Sequence, residues 1–231
     1  MRERLHTFFE REAPELKKKK KEYLTEKQNP DGVLAIDLDF RFDEDIEERQ
    51  HTEEDIKSII DLYITNLNEL VDLPEKLSIY VFEKPSVNVT PGVTKDGIHI
   101  IFGIRIQDNL KVTLRNRILT GIENAVSEEL KDLLTNDWES VVDEGVCLGR
   151  TNWQLYGSRK PNHDKYSLTR VFNISYDESD GELMISEQLL SQFDIEKNID
   201  KLSVRCKNHV SLFMKNDFMT TYNEYKKQNN I

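Results

Sequence analysis

The chain has 231 residues, 37% apolar and 32% charged, with a net charge of −11 from 32 basic and 43 acidic side chains. That length suits one large or two small packed units. The surplus of acid argues against a protein that coats nucleic acid regardless of sequence, because phosphate contact needs a basic surface. An enzyme that grips a short template and a metal-bound nucleotide tolerates such a balance. No apolar run approaches the length of a membrane span, and no leader-like apolar stretch follows Met1-Arg2-Glu3-Arg4, so no membrane partner is expected. Cys147 and Cys206 offer neither a disulfide framework nor a Cys-x-x-Cys spacing, which points to a reducing, intracellular compartment.

Residues 1–28 read as a helical segment, with Leu5, Phe8, Phe9 and Leu16 as its apolar positions. Lys17 to Lys21 read as its solvated face, with a phosphate-binding patch as the alternative. Asn29-Pro30-Asp31-Gly32 is a turn. The strand that follows, Val33 to Phe42, has two faces: Leu34, Ile36, Leu38, Phe40 and Phe42 on one, Ala35, Asp37, Asp39 and Arg41 on the other. The acidic stretch 43–50 is a loop. Thr52 and Asp55 outline a capping box for a helix whose stripe runs from Ile56 to Leu70 and stops at Pro74. Leu77 to Glu83 is a strand, Lys84 to Asp96 a long mobile loop, and Gly97 to Phe102 a further strand.

Leu110 to Leu134 predicts one long helix. Val141-Val142-Asp143 is a short apolar run that ends in an acid. Asn152 to Ser158 and Leu168 to Tyr176 read as strands joined by the loop 159–165. Leu183 to Leu202 reads as one or two short helices, and His209 to Gln228 as a helical tail. Several strands follow one another without a crossover helix, so the fold class is α+β with antiparallel pairs. The organisation read from this is a helical segment over 1–28, a main domain over 29–180 and a helical segment over 181–231.

Candidate chemistry gathers in three segments. Asp37 and Asp39 lie about 7 Å apart at Cα on one strand face. Their charges repel unless a cation such as Mg²⁺ or Mn²⁺ lies between them; two solvated acids are the plain alternative. Asp143 suits a third ligand, with an ordinary loop acid as its alternative. His99 is a packed core histidine or, with Lys95 and the bare backbone of Gly97, part of a triphosphate site.

In that order, hydrophobic-Asp-x-Asp, Lys-x-small-x-His and hydrophobic-Asp resemble the motif set of the archaeo-eukaryotic primase superfamily. The three read Ala35-Ile36-Asp37-Leu38-Asp39, Lys95-Asp96-Gly97-Ile98-His99 and Val141-Val142-Asp143. The block Asn152-Trp153-Gln154-Leu155-Tyr156-Gly157-Ser158-Arg159-Lys160-Pro161 resembles the primase domain at the front of poxvirus-type helicase-primases of large DNA viruses. The resemblance covers residues 20–180. It implies a sheet like that of RNA-recognition motifs with an additional packed α/β unit, and a metal-dependent DNA primase that works on single-stranded DNA with NTP or dNTP. It also implies Mg²⁺ or Mn²⁺ on Asp37, Asp39 and Asp143, and triphosphate contacts from Lys95, Gly97, His99 and Lys160. A fused or associated superfamily 3 helicase is the implied partner, since no GxxxxGK[ST] loop occurs here. The implied setting is the site of viral DNA replication in the host cell. Gly97 stands where the family often has Ser, and Gln154 where primase-polymerases place an arginine. A non-catalytic nucleic-acid-binding module, a DxD-type glycosyltransferase and a metal-dependent nuclease are the rival readings.

Overall fold

The structure, a computed structural model, describes residues 22–177, 182–216 and 218. Its elements, in chain order, are β1 (Thr25–Glu26), β2 (Val33–Phe42), α1 (Glu53–Leu70), β3 (Lys76–Glu83), β4 (Asn88–Thr90), β5 (Val93–Ile106) and α2 (Asp108–Leu119). They continue with α3 (Glu128–Leu133), α4 (Trp138–Val141), α5 (Glu144–Cys147), β6 (Trp153–Gln154), β7 (Ser167–Tyr176), β8 (Leu183–Gln188), α6 (Ile195–Asn198) and β9 (Val210–Leu212).

The fold is mixed α+β, built on a seven-stranded sheet whose main path runs β2-β5-β3-β7-β8. Every neighbouring pair on that path is antiparallel. β4 adds to β5 as a hairpin arm, and β9 pairs with β5 in parallel. β1 and β6 form a separate two-stranded sheet.

Alternation along the strands gives the sheet two apolar faces. On one, Leu34, Ile36, Leu38, Phe40 and Phe42 pack with Ile98, Ile100 and Phe102 under the apolar stripe of α1. On the other, Ala35, Tyr80, Phe82, Ile101 and Val171 meet Val146, Trp153, Leu202 and Val204. α1 begins where the sequence says it should. Thr52 Oγ1 accepts from the Asp55 N–H at 3.1 Å, and the Asp55 carboxylate accepts from the Thr52 N–H at 2.7 Å. Asp55 also accepts from the Ser127 N–H at 2.7 Å, which ties α1 to the start of α3.

Five expectations need correction. Residues 22–28 are extended rather than helical, because Thr25 and Glu26 pair with Gln154 and Trp153, a partner local periodicity cannot reveal. Residues 1–21, with Lys17 to Lys21, lie outside the described residues. Lys84 to Asp96 is not one long loop: Pro91-Gly92 turns the chain between Thr90 and Val93, with Gly92 at φ +84°, so Lys95 and Asp96 belong to β5. The stretch 110–134 is broken at Thr120-Gly121; Leu110, Leu114, Ile118, Ile122 and Leu130 are buried as a helical stripe predicts, but along a bent path round α1. The apolar run Val141-Val142-Asp143 is no continuous element: Val141 ends α4, Val142 makes an isolated bridge to Leu38, and Asp143 caps α5. In the segment 181–231, Leu183–Gln188 is a strand with Leu183 and Ile185 turned to the core, and the helical turns that follow it are short, at Leu190–Gln192, Ile195–Asn198 and Ile199–Leu202. Val210–Leu212 is a strand, and the predicted tail beyond residue 218 lies outside the described residues.

Candidate functional site

The register of β2 against β5 builds the site. Asp37 lies opposite His99, Asp39 opposite Gly97 and Arg41 opposite Lys95. On this face Ala35 and Ile101 still belong to a core. One residue pair further along, apolar side chains give way to charge. Asp143 joins from a third segment: its N–H donates to the Asp37 carbonyl at 3.0 Å. Arg115 fixes that junction by donating to the Val142 carbonyl through Nε at 3.1 Å and Nη2 at 2.9 Å. The three sequence motifs therefore meet in one patch.

Each acid has its own setting. Asp37 Oδ1 is 3.5 Å from His99 Nε2. Burial pushes the Asp37 carboxyl upward, but His99, Lys160 and Lys84 outweigh it and hold it below the usual carboxylate value. Asp39 Oδ2 accepts from Arg41 Nε at 3.0 Å and Nη2 at 2.9 Å. Asn136 bridges the same two residues, donating to the Asp39 carbonyl and accepting from the Arg41 N–H. The Asp143 carboxylate accepts from the Val146 N–H at 2.6 Å.

These are hard oxygen donors of the kind Mg²⁺ and Mn²⁺ take, and they hang from rigid elements. Among the described residues, however, no three His, Cys, Asp or Glu side chains converge as a metal cage. Arg41 occupies Asp39, and a helix N-terminus occupies Asp143. The donor chemistry fits a divalent cation, and Arg41 engages one of the two Asp39 carboxylate oxygens, Oδ2.

His99 is both packed and placed. Its ring stacks on Tyr166 at 3.6 Å between centroids and 17° between planes, with Trp153 at 4.3 Å. A Cβ at Gly97 would strike the Tyr166 hydroxyl, so a larger residue here needs Tyr166 to shift. The room that glycine leaves is thus taken by tyrosine. Burial, with the carboxylates of Asp37, Asp39 and Asp96, pushes the Tyr166 phenol well above its usual value.

Positive charge surrounds the acids. The Lys84 ammonium lies 4.9 Å from the Tyr166 ring centroid. Burial and Lys160 push Lys84 down, against Asp37, Asp39 and Asp96. Burial lowers His163, and Lys84, Lys160 and Lys95 lower it further, while Asp164 opposes them. Lys84, Lys95, Lys160 and His163 therefore share one neighbourhood. Sequence reasoning names Lys95 and Lys160 but misses Lys84, His163 and Tyr166. Lys84 sits at a strand end before Pro85, and Tyr166 and His163 carry no motif. Gln154, in the place of the family arginine, donates to the Ser158 carbonyl and closes a local turn. Trp153 is buried against His99, so its ring is a packing element.

This patch, on an antiparallel α+β sheet, is described by one class. The chain belongs to the archaeo-eukaryotic primase (AEP) class, for the family described as "C962R protein N-terminal AEP domain" matches residues 2–172. It is also similar to "Putative helicase L207/L206" of Acanthamoeba polyphaga mimivirus, 30% identical over 188 residues. That alignment covers 80% of this chain and 19% of the mimivirus protein, so the chain spans about a fifth of that relative's length.

Proposed function

We propose that this domain is a template-directed, divalent-metal-dependent nucleotidyltransferase that makes primers on single-stranded DNA. We further read it as the primase portion of a helicase-primase, working with a fused or associated superfamily 3 helicase. The observation that carries the first reading is the register Asp37–His99 and Asp39–Gly97 with Asp143 hydrogen-bonded to the Asp37 backbone. Three segments far apart in sequence supply acids, a histidine and lysines to one patch. The similarity to a viral protein named as a helicase supports the second reading.

Asp37, Asp39 and Asp143 would hold the cation. Bound there, Mg²⁺ or Mn²⁺ supplies activation of the attacking 3′-hydroxyl and neutralisation of the phosphates. The remaining work falls to the chain. Lys84, Lys95 and Lys160 draw in a triphosphate and offset the charge that builds on it. His99, held by Tyr166 and Trp153, is preorganised beside Asp37, so orienting it costs little when substrate arrives. The backbone at Gly97 and the Tyr166 hydroxyl line the approach between His99 and Lys95.

The test is extension of single-stranded DNA with labelled NTPs or dNTPs, with Mg²⁺ or Mn²⁺ and with chelator. Template-dependent products that vanish with chelator support the proposal. Degradation of the template would indicate a nuclease. Binding of single strands that survives chelation, with no synthesis, would indicate a non-catalytic module. Turnover of a sugar nucleotide without extension would indicate a glycosyltransferase.

A further inference from the structure

At the other end of β5 from the acids, basic side chains gather from three segments. Arg105 lies about 20 Å beyond His99 by the strand rise. By alternation it shares the sheet face of Gly97, His99 and Ile101. His209 packs over Gly103 on that face, and its Nε2 lies 3.2 Å from the Lys201 carbonyl. Burial lowers His209, and Lys201 and Arg105 lower it further, while the Lys201 carbonyl and Asp200 oppose them. Arg205 Nη1 donates to the Lys27 carbonyl at 3.3 Å, which brings the end of β1 to the same loop. Lys27, Lys201 and Lys207 are exposed.

The loop that carries these cations is fixed to the fold. Ser203 Oγ donates to Glu26 at 2.6 Å, and the Val204 N–H donates to the same carboxylate at 3.1 Å. Asn208 Nδ2 donates to Asp200 at 3.2 Å. Glu26 and Asp200 therefore already hold partners. Among the described residues, no ion pair involves Lys27, Arg105, Lys201, Arg205 or Lys207, in a protein of net charge −11. A second observation is aromatic. Phe213 is 67% exposed, between Leu212 and Met214, which are turned to the core. Arg105 lies opposite Ser211, so alternation puts Phe213 on the Arg105 side. Cations spread over exposed positions do not enclose a small ligand. Beside a bare ring they match a chain of phosphates whose bases stack.

We propose that this surface is a second nucleic-acid contact, separate from the acids. Lys27, Arg105, Lys201, Arg205 and Lys207 hold the phosphodiester backbone of single-stranded DNA, and Phe213 stacks on a base. Residues 199–213 lie beyond the stretch that the primase family matches, which ends at 172. A stacked strand advances about 3.4 Å per nucleotide, so this surface meets it roughly six nucleotides from the acids. That the strand is the template rests on the nucleotidyl-transfer reading; that it binds here does not.

The experiment is binding of labelled oligo(dT) to the full chain by fluorescence anisotropy across a salt series, with chelator and without nucleotide. Lys201→Gln plus Lys207→Gln should weaken binding about ten-fold at low salt. The same change should flatten the slope of log affinity against log salt by about 1.4, or about 0.7 per phosphate contact. Lys201→Arg plus Lys207→Arg should keep both at wild-type values. Phe213→Ala should weaken binding about five-fold or more, the range of one stacked base, with the slope unchanged. Lys57→Gln, on α1 across the sheet, should change nothing. Melting temperatures check folding. A wild type that does not bind, silent variants, or a lysine variant that loses affinity with its salt slope intact would each overturn the assignment. Competition by polyglutamate as strong as that of unlabelled oligo(dT) at equal charge would overturn it too, because any polyanion would then suffice. Binding is scored apart from synthesis. Silent variants in a chain that makes primers sink only this surface. Lost DNA affinity in the variants of a chain that makes no primers supports the surface and sinks the primase reading.

Discussion

The two faces of the β2–β5–β3 region treat charge in opposite ways. On the helix side, Asp96 and Glu83 are buried, yet their charge is closed locally. His51 lies between them, with Nε2 2.9 Å from Glu83 and Nδ1 3.1 Å from Asp96. Arg49 donates to Glu83 at 2.9 Å, to Asp96 at 3.0 Å and to the Lys84 carbonyl at 2.8 Å. Two acids meet two basic groups. On the opposite face Asp37 and Asp39 are half-buried, and Lys84, Lys95 and Lys160 stand near them, without ion pairs of their own among the described residues. Charge paired to neutrality inside a sheet holds the strands in register. Charge left uncancelled at the rim is suited to a ligand. The same short strand segment, Lys95-Asp96-Gly97, serves both purposes by alternation alone.

The contrast can be broken from the buried side first. Asp96→Ala leaves His51 and Arg49 with Glu83 as the one acid between them. Removing one partner of a buried charge pair costs about 3–5 kcal/mol, so denaturant unfolding should show a loss of that order. A loss under about 1 kcal/mol, the scale of surface pairs, would mean that the network is not closed as described.

On the rim, Lys160→Ala should weaken nucleotide use about ten- to a hundred-fold, the equivalent of roughly 1.5–3 kcal/mol, with melting temperature unchanged because Lys160 is exposed. A silent substitution would remove Lys160 from the site. His99→Ala should lower both nucleotide affinity and melting temperature, since His99 also packs on Tyr166 and Trp153. Binding and thermal melts on the same samples separate the two effects.

The pH dependence of stability sharpens the comparison further. Burial would lower His51, but Asp96 and Glu83 outweigh it and raise it above 6.5. Its contribution is full below the unfolded value and is lost as pH rises through the folded one. Burial would raise Glu83 and Asp96, but His51 leads the contacts that hold both below their usual values. Their contribution is present above the unfolded values of 4.5 and 3.8 and is lost as pH falls through the folded ones. Stability should therefore plateau between those limits and decline on both sides. In His51→Gln the alkaline decline should shrink; an unchanged profile would assign it to another group. The smallest effect is expected away from both faces. Thr52→Ala should cost about 1 kcal/mol by loss of the cap and leave nucleotide affinity alone.

Much of this was legible in the sequence, and the rest was hidden for physical reasons. The period of two in Val33–Phe42 assigned every side chain to its face, and Thr52 with Asp55 marked the start of α1. The three motifs named Asp37, Asp39, Asp143, Lys95, Gly97 and His99, which the fold brings together in one patch. The turn at Pro91-Gly92 looks like loop punctuation in the sequence because its flanking strand, β4, is only Asn88–Thr90. The stripe in 110–134 gave burial correctly but could not show that Gly121 lets the chain bend against Leu62. Lys84, His163, Tyr166 and the His51–Glu83–Asp96 cluster come from segments with no shared period, so only the folded chain shows them as neighbours.

On the proposed reading, the patch around Asp37 and Asp39 carries nucleotidyl transfer while the opposite face holds the fold. Asp37→Asn plus Asp39→Asn tests it most directly, because the change removes both charges and keeps side-chain shape. Primer extension and thermal melting should be measured on the same preparation. Metal-dependent extension should disappear while the melting temperature stays within a few degrees of the wild type. Extension that persists, or a double variant that no longer folds, would contradict it.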